Sequence, residues 1–323
     1  MQITEFGKTG AGDPVQAITI TAGDLTAKIL TLGCTLHSVH LKGAAHSLTL
    51  GSDTLTDYTA SMLYFGAIVG PVANRITAAQ TQLNGKTLTF PSNENGNLLH
   101  SGTTGTHTQL WTIADTTPNS VTLTLALQNR IGGFPGNRHI TAKFQIDAPA
   151  TLRLTINATT DADTLMNFAN HSYWNLDGSD QWFGHTLQIA ADHTLPTDAA
   201  LLPTGELAPV TNTDFDFRKS RAWTQGEPPL DTNFCLSHAK SALRPVASLT
   251  GTSGLTMTLA TSEPGLQIYD AQRTTRPGKS KYEGIAIEAQ GWPDAPNHPN
   301  FPSVIATPDA PYGQTTEWRF TKS

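Results

Sequence analysis

The side chains best suited to chemistry lie in five polar stretches of the chain. Residues 284–303 begin with alternating residues and place one carboxylate, Glu288, near the end of a predicted strand. Four prolines then recur at three-residue spacing from Pro293 to Pro302, which excludes a helix or a central strand and predicts a stiff, extended loop. A lone acid beside a rigid loop is typical of a functional site on a β scaffold. The loop also carries Trp292, Asp294, Asn297 and His298.

Residues 167–178 place one imidazole among aromatic and amide side chains. His171, Tyr173 and Trp174 stand here among three asparagines. Aromatic faces pack on the C–H face of a sugar, while amides and imidazoles bind its hydroxyls. The alternative is an aromatic core cluster with satisfied polar edges, but burying three amides and a histidine without a purpose is costly. The stretch therefore favours a sugar site.

Three further stretches each carry candidate groups that also have an ordinary explanation. Residues 66–76 end near Asn74 and Arg75, and a guanidinium offers five fixed donors to hydroxyls or carboxylates. It could equally cap carbonyls or pair with an acid. His100 lies within residues 97–111, and Asp231 lies within residues 229–236. Considered alone, the first is more typical of a loop histidine and the second of a turn aspartate.

Composition excludes several classes of protein. The 323 residues carry 20 basic and 26 acidic side chains, a net charge of -6, which argues against nucleic acid or an anionic membrane as a partner. Cys34 and Cys235 lie in apolar surroundings, which predicts two buried thiols, and no Cys–His spacing is typical of zinc. The N-terminus lacks a signal-peptide pattern, and the longest apolar run, residues 64–73, is far shorter than the about 20 residues of a membrane helix. We therefore expect a cytoplasmic protein, unless a presequence has been removed.

The elements that must position these groups are strands. Apolar and polar residues alternate at 121–127, 152–156 and 255–259, and turn residues separate such runs. The Ala-Gly-Asp turn at 22–24 predicts a hairpin. No linker, repeat or strand–helix alternation interrupts the pattern. We therefore predict one all-β domain over residues 1–323, a sandwich or barrel with few or no helices.

Taken together, these stretches resemble the aldose 1-epimerase (mutarotase) family, in its galactose mutarotase branch. The resemblance covers nearly the whole chain in the family's order. The matching motifs are VANRI at 72–76, LLHSG at 98–102, NHSYWNLDG at 170–178, DTNF at 231–234, GLQIY at 265–269 and EAQGWPDAPNHPNFPS at 288–303. The resemblance implies a large antiparallel β-super-sandwich with an open groove. It also implies an isomerase that interconverts the α and β anomers of free aldohexoses.

The resemblance further implies roles for particular residues. Glu288 would be the general base that takes the proton of the anomeric hydroxyl, and His171 would be the general acid that protonates the ring oxygen. Glu288 must then be ionised and His171 protonated in the resting state, which a nearby carboxylate would favour. No metal or organic cofactor is implied, the partner is an aldose, and the protein would be a monomer or a homodimer. The implied substrate-binding residues are Asn74, Arg75, His100, Ser172, Tyr173, Asp231 and Gln267.

Four positions depart from the family's common pattern. They are Pro71, Ser101, Trp174 and Thr232. None of them removes the implied acid or base. Because a changed groove wall alters which hydroxyl configurations fit, these positions bear on sugar preference.

Three alternative functions remain open at this point. A hexose-6-phosphate epimerase would need a cationic pocket for phosphate. A non-catalytic carbohydrate-binding module would need neither Glu288 nor His171, and a glycosidase would use Asp231 and Glu288 as its carboxylate pair. The cations that could form the phosphate pocket are Arg273, Arg276, Lys279 and Lys281.

Overall fold

Antiparallel strand pairing dominates the computed structural model, which describes residues 1–322. Three larger sheets, of four, nine and six strands, and four two-stranded ladders account for the named strands in this range. Every ladder between these strands is antiparallel. The predicted all-β class is therefore confirmed, while Ser323, the last residue of the predicted domain, lies outside the described residues.

The nine-stranded sheet forms the largest layer. Its strands in spatial order are Thr112–Thr117, Ser120–Leu127, Arg138–Asp147, Thr151–Thr160, Tyr312–Lys322, Leu255–Thr261, Arg244–Thr250, Thr186–Ile189 and Arg221–Ala222. The alternation of apolar and polar residues in the sequence matches the alternation of burial in the structure. Leu152, Leu154 and Ile156 are buried, and the residues between them are partly exposed. On the other face Arg153 pairs with Glu317 across the ladder, with Nε 2.6 Å from Oε1.

The six-stranded sheet carries most of the candidate site. Its order is Tyr173–Trp174, Ile285–Gln290, Gly265–Tyr269, Asp231–Cys235, His193–Thr194 and Ala208–Pro209. Ile285 and Ile287 belong to the main core, whereas Ala286 packs in a separate cluster on the other face. Glu288 shares the face of Ala286, as the alternation predicts.

The four-stranded sheet contains the predicted hairpin. Its strands in order are Gln2–Lys8, Pro14–Ala22, Leu25–Leu30 and Thr35–Leu41. The main core joins this sheet to the other two, because it includes Ile18, Phe144 and Ile268. Burial of each such side chain stabilises the fold by about 1.5–3 kcal/mol. The shared core therefore fixes the sheets relative to one another.

Short ladders and single helical turns connect the sheets. The ladders are Ile68–Val69 with Ala169–Asn170, Arg75–Ile76 with Leu98–Leu99, Gln80–Leu83 with Lys86–Thr89, and Thr164–Leu165 with Ile305–Ala306. Leu55–Tyr58 is the only α-helix among the described residues. The 3₁₀ helices are Thr77–Ala79, Gly102–Thr104, Thr106–Thr108, Ile131–Gly133 and Ala295–Asn297. Within residues 1–322 no helix has the length and apolar character needed to cross a membrane.

The proline-rich loop is only partly extended. Ala295–Asn297 forms a 3₁₀ helix with proline in its first turn, so the prediction of a purely extended loop is wrong there. Proline suits a first helical turn because its fixed φ is compatible and its missing N–H has no partner to lose. Trp292 anchors the loop, since its Nε1 donates to the Pro264 carbonyl at 2.9 Å. Both cysteines are buried free thiols, as predicted.

Candidate active site

A small cavity collects polar and aromatic side chains from distant parts of the chain. Its volume is about 190 Å³, below the roughly 300–1,000 Å³ usual for drug-sized ligands, so it suits one small molecule such as a single sugar ring. A larger cavity of about 380 Å³ is lined in part by the ion pair of Lys240 and Glu263. None of the predicted site residues lines this larger cavity. The wall of the smaller cavity consists of Tyr64, Asn74, Arg75, Glu94, Leu99, His100, His171, Tyr173, Asp231, Gln267, Tyr269, Arg273, Thr274 and Glu288.

The six-stranded sheet sets the position of the carboxylates. Asp231, Gln267 and Glu288 come from three neighbouring strands, and the register pairs Gln267 with Glu288. Gln267 Nε2 donates to Asp231 Oδ1 at 2.8 Å. Tyr173 lies on the next strand, paired with Ala286. Strand register therefore brings these polar groups together in the cavity wall.

His171 is held by backbone hydrogen bonds to the segment at residues 66–67. The His171 N–H donates to the Ala67 carbonyl, and the Gly66 N–H donates to the His171 carbonyl, both at 2.9 Å. Asn170 Nδ2 also donates to the Gly66 carbonyl, at 2.8 Å. Gly66 has a φ of +70°, a left-handed conformation that glycine adopts without a steric penalty. The orientation of His171 thus depends on a position that requires glycine.

Gly66→Ala should destabilise the protein by about 3 kcal/mol, because a left-handed non-glycine residue is strained. In addition, a Cβ at Gly66 would collide with the Leu36 carbonyl oxygen. Urea unfolding of the variant measures the loss. Gly10→Ala is the control, since a Cβ there meets nothing within 4 Å. Equal stability of the two variants would contradict the prediction.

Asn74 and His100 both have left-handed backbone conformations, and they hydrogen-bond to each other. Their φ angles are 61° and 49°, and such residues persist where their surroundings over-determine them. The His100 N–H donates to the Asn74 carbonyl at 2.9 Å, and the Asn74 N–H donates to His100 Nδ1 at 3.1 Å. Burial keeps the pKa of His100 well below its usual value, so the ring is neutral. Because Nδ1 accepts a hydrogen bond, the ring proton is on Nε2.

Arg75 contacts two acids of the cavity wall. Its Nε is 2.6 Å from Glu94 Oε2, and its Nη2 is 2.9 Å from Glu94 Oε1. Its Nη1 is 4.0 Å from Asp231 Oδ2. Burial lowers the pKa of Arg75, but the hydrogen bonds and charges of these acids outweigh it and raise the pKa overall. Burial raises the pKa of Asp231, although Arg75 and Gln267 oppose the shift.

His171 and Glu288 face each other at close range. His171 Nε2 lies 3.5 Å from Glu288 Oε1, and both side chains are almost fully buried. Burial lowers the pKa of His171 to about 4. Burial and the charge of Asp231 raise the pKa of Glu288 well above its usual value, against the opposing charge of Arg75. The predicted resting state, an ionised Glu288 and a protonated His171, is therefore opposed by burial, which favours the neutral forms of both groups.

Aromatic rings form the wall beside this pair. Tyr64 stacks on His171 with ring centroids 5.9 Å apart, and its ring lies 4.7 Å from that of His100. The ring of Tyr173 is 5.1 Å from that of His171. The imidazole is thus in contact with two tyrosine rings.

One group in residues 1–322 has the spacing of a metal site. Ligand atoms of His100, His171 and Glu288 all lie within 4.8 Å of one another. However, His100 Nδ1 accepts the Asn74 N–H, and its Nε2 carries the ring proton. Neither nitrogen of His100 then offers a free lone pair, so the donor set fits hydrogen bonding to a substrate better than metal ligation.

Of the nine predicted site residues, eight line the cavity. Ser172 does not line it. It lies between His171 and Tyr173, and successive side chains of an extended segment point to opposite sides. The loop residues Trp292, Asp294, Asn297 and His298 are also absent from the wall. The wall residues that the sequence did not single out are Tyr64, Glu94, Leu99, Tyr269 and Thr274.

Comparison with known proteins identifies the family to which this chain belongs. A model of the family described as Aldose 1-epimerase matches residues 16–319. The chain belongs to the aldose 1-epimerase family. Its relatives include the galactose mutarotase of Rattus norvegicus, 33% identical over 98% of each chain, and the aldose 1-epimerase of Haemophilus influenzae, 32% identical over 96% of each. A solved aldose epimerase homologue from C. elegans has a TM-score of 0.88 at 28% identity, covering 95% of this chain and 98% of that chain.

Family membership confirms three predictions from the sequence. The resemblance itself is confirmed, and the β-super-sandwich is the fold of the solved aldose epimerases. The chain is an aldose 1-epimerase, an isomerase that interconverts the α and β anomers of aldoses. An aldose is therefore its substrate, which argues against a glycosidase or a non-catalytic module.

Proposed function

We propose that Glu288 and His171 carry out mutarotation of free, neutral aldohexoses as a general acid/base pair. The observation that supports this proposal is the 3.5 Å separation of His171 Nε2 and Glu288 Oε1 at the cavity wall. Mutarotation needs one proton removed and one added at the anomeric centre. Two proton-exchanging groups beside one small cavity supply both.

The proposed reaction leaves the total number of protons on the protein and the sugar unchanged. Glu288 takes the proton of the anomeric hydroxyl while the C1=O bond forms and the bond from C1 to the ring oxygen breaks. His171 donates a proton to that ring oxygen. Rotation about the C1–C2 bond then presents the other face of the aldehyde. Ring closure reverses both transfers and yields the other anomer.

A single shared proton is sufficient for both roles. Burial favours this proton on Glu288, with His171 neutral. Transfer of the proton across the 3.5 Å gap produces the ionised carboxylate and the imidazolium that the reaction requires. No other residue needs to supply or store a proton.

Six wall residues would bind the sugar hydroxyls. His100 offers its Nε2–H, and Arg75 offers the donors that its acidic partners leave free. Ser172 is left out of the proposed set because it does not line the cavity. The proposed hydroxyl-binding residues are Asn74, Arg75, His100, Tyr173, Asp231 and Gln267.

A phosphorylated hexose is a poorer fit than a neutral one. Of the four cations that could form a phosphate pocket, only Arg273 lines the cavity. Arg276 is paired with Glu283, and Lys279 lies 3.7 Å from Asp180. The acids that flank Arg75 further oppose an added dianion.

Polarimetry tests the proposed substrate class. Freshly dissolved α-D-galactose and α-D-glucose should reach rotational equilibrium faster with the protein than in buffer alone. The 6-phosphates of the same hexoses should show little acceleration. Acceleration confined to the phosphate esters would reject the neutral-hexose proposal.

The pH dependence of kcat/KM should be bell-shaped, because the pKa values concerned are those of the sugar-free protein. Below pH about 4, the pKa of His171, both groups are protonated and no base remains. Above the raised pKa of Glu288 both groups are deprotonated, so no acid remains. Rates measured by polarimetry with the buffer rate subtracted, alongside circular dichroism to confirm folding, give the profile. An acid limb centred near the ordinary histidine value would contradict this assignment.

We further propose that residues 1–323 act as one domain, since the main core includes residues from all three larger sheets. The monomer or homodimer state and the cytoplasmic location stay predictions. Light scattering on the purified chain would distinguish the two oligomeric states.

A further inference from the structure

We infer that Glu94 is a positioning and specificity residue of this site, which holds Arg75 in place and cancels positive charge that would otherwise attract anionic sugars. The inference rests on the proposed function. Glu94 lines the cavity, although neither its surroundings in the sequence nor the matching motifs single it out.

The contact between Glu94 and Arg75 is bidentate. Arg75 Nε and Nη2 lie 2.6 and 2.9 Å from the two carboxylate oxygens. The Arg75 side chain is only 8% exposed, and that of Glu94 is 28% exposed. Two parallel hydrogen bonds fix both the position and the plane of a guanidinium. The donors left over, on Nη1 and one on Nη2, are therefore held in a fixed direction.

A hydrogen-bonded turn holds Glu94 itself. The Glu94 N–H donates to the Asn97 carbonyl at 3.2 Å, and the Asn97 N–H donates to the Glu94 carbonyl at 2.8 Å. The next strand of the chain, Leu98–Leu99, pairs with Arg75–Ile76. Both partners of the ion pair are thus attached to the same small ladder, so little conformational entropy is lost when Arg75 binds a hydroxyl.

Glu94 also sets the charge of the cavity. The wall carries two guanidinium groups, Arg75 and Arg273, and the carboxyl groups of Glu94, Asp231 and Glu288. With the proton of the catalytic pair on Glu288, two carboxylates balance the two cations. Loss of the Glu94 charge leaves one cation in excess. An anionic sugar would then meet attraction where the native cavity offers none.

Three variants distinguish the role of Glu94 in positioning Arg75 from the effect of its negative charge. Glu94→Gln removes the charge and one of the two parallel contacts, while Glu94→Asp keeps the charge but is one methylene too short for the same contact. Glu317→Gln is the matched control, because Glu317 also forms a 2.6 Å ion pair, with Arg153, but does not line the cavity. The readouts are kcat and KM for D-galactose, and calorimetric affinity for D-galacturonate, with melting temperatures as a check of folding.

Both Glu94 variants should raise the KM for galactose about tenfold with kcat nearly unchanged, because a loosened Arg75 binds hydroxyls less well. Glu94→Gln should bind galacturonate about tenfold more tightly than Glu94→Asp, which loosens Arg75 in the same way but keeps the negative charge. Glu317→Gln should match the native protein in both assays.

An unchanged KM in Glu94→Gln would overturn the positioning role, as would a loss confined to kcat. Equal galacturonate affinity of Glu94→Gln and Glu94→Asp would overturn the specificity role. Absence of turnover by the native protein would instead refute the proposed function. The galacturonate affinities need no turnover and would still decide whether Glu94 controls charge selection.

Discussion

Glu288→Gln is expected to slow mutarotation of α-D-galactose at least about 10²-fold, the lower range of what one positioned acid or base contributes. The amide has the same shape as the carboxyl group but neither accepts nor donates a proton in this pH range. Glu288 is buried within a strand between two paired neighbours, so an isosteric replacement preserves the packing. Polarimetry at saturating sugar measures the loss in kcat.

The control for this variant is Glu317→Gln, which removes a carboxylate from a strand of the nine-stranded sheet. It should retain the native rate. If Glu288→Gln retained a native kcat while melting at the native temperature, the assignment of the base would be wrong.

His171→Asn is expected to produce a loss of similar size, again at least about 10²-fold in kcat. Asparagine can still form hydrogen bonds, but it cannot carry the proton that the ring oxygen must receive. The backbone bonds of this position to residues 66–67 do not depend on the side chain, so the fold should persist. The same polarimetric assay applies, and the pH profile of the residual kcat/KM should lose its limb near pH about 4.

His37→Asn is the matched control for the histidine variant. His37 is also buried, and its pKa is likewise lowered to about 4, chiefly by burial. Its Nδ1 bonds to the Tyr58 hydroxyl, away from the cavity wall. A rate loss in His37→Asn equal to that in His171→Asn would show that removal of any buried imidazole is enough, and would remove His171 from the mechanism.

Strand periodicity was predictable because it depends only on neighbouring residues. The alternation at 152–156 and at 285–287 places every second side chain in the core, whatever packs against it. Motif residues such as Asn74 and His171 were predictable for a different reason. Their types and order match a family, and that family is now shown.

Other features could not be predicted from local sequence. Ser172 stands inside a matching motif, but the path of the backbone keeps its side chain out of the cavity. Glu94 and Tyr64 line the cavity although one belongs to a polar turn and the other to an apolar run. Neither position could be assigned without knowing which strands pair.

The sequence by itself determined the all-β class, the family and the presence of one imidazole and one carboxylate suited to proton exchange. Only the tertiary structure decided that His171 and Glu288, far apart along the chain, lie 3.5 Å from each other. It also decided the direction of their pKa shifts, upward for Glu288 and downward for His171, because burial and nearby charge set such shifts. Burial and distance arise from packing between sheets, and local sequence does not specify either.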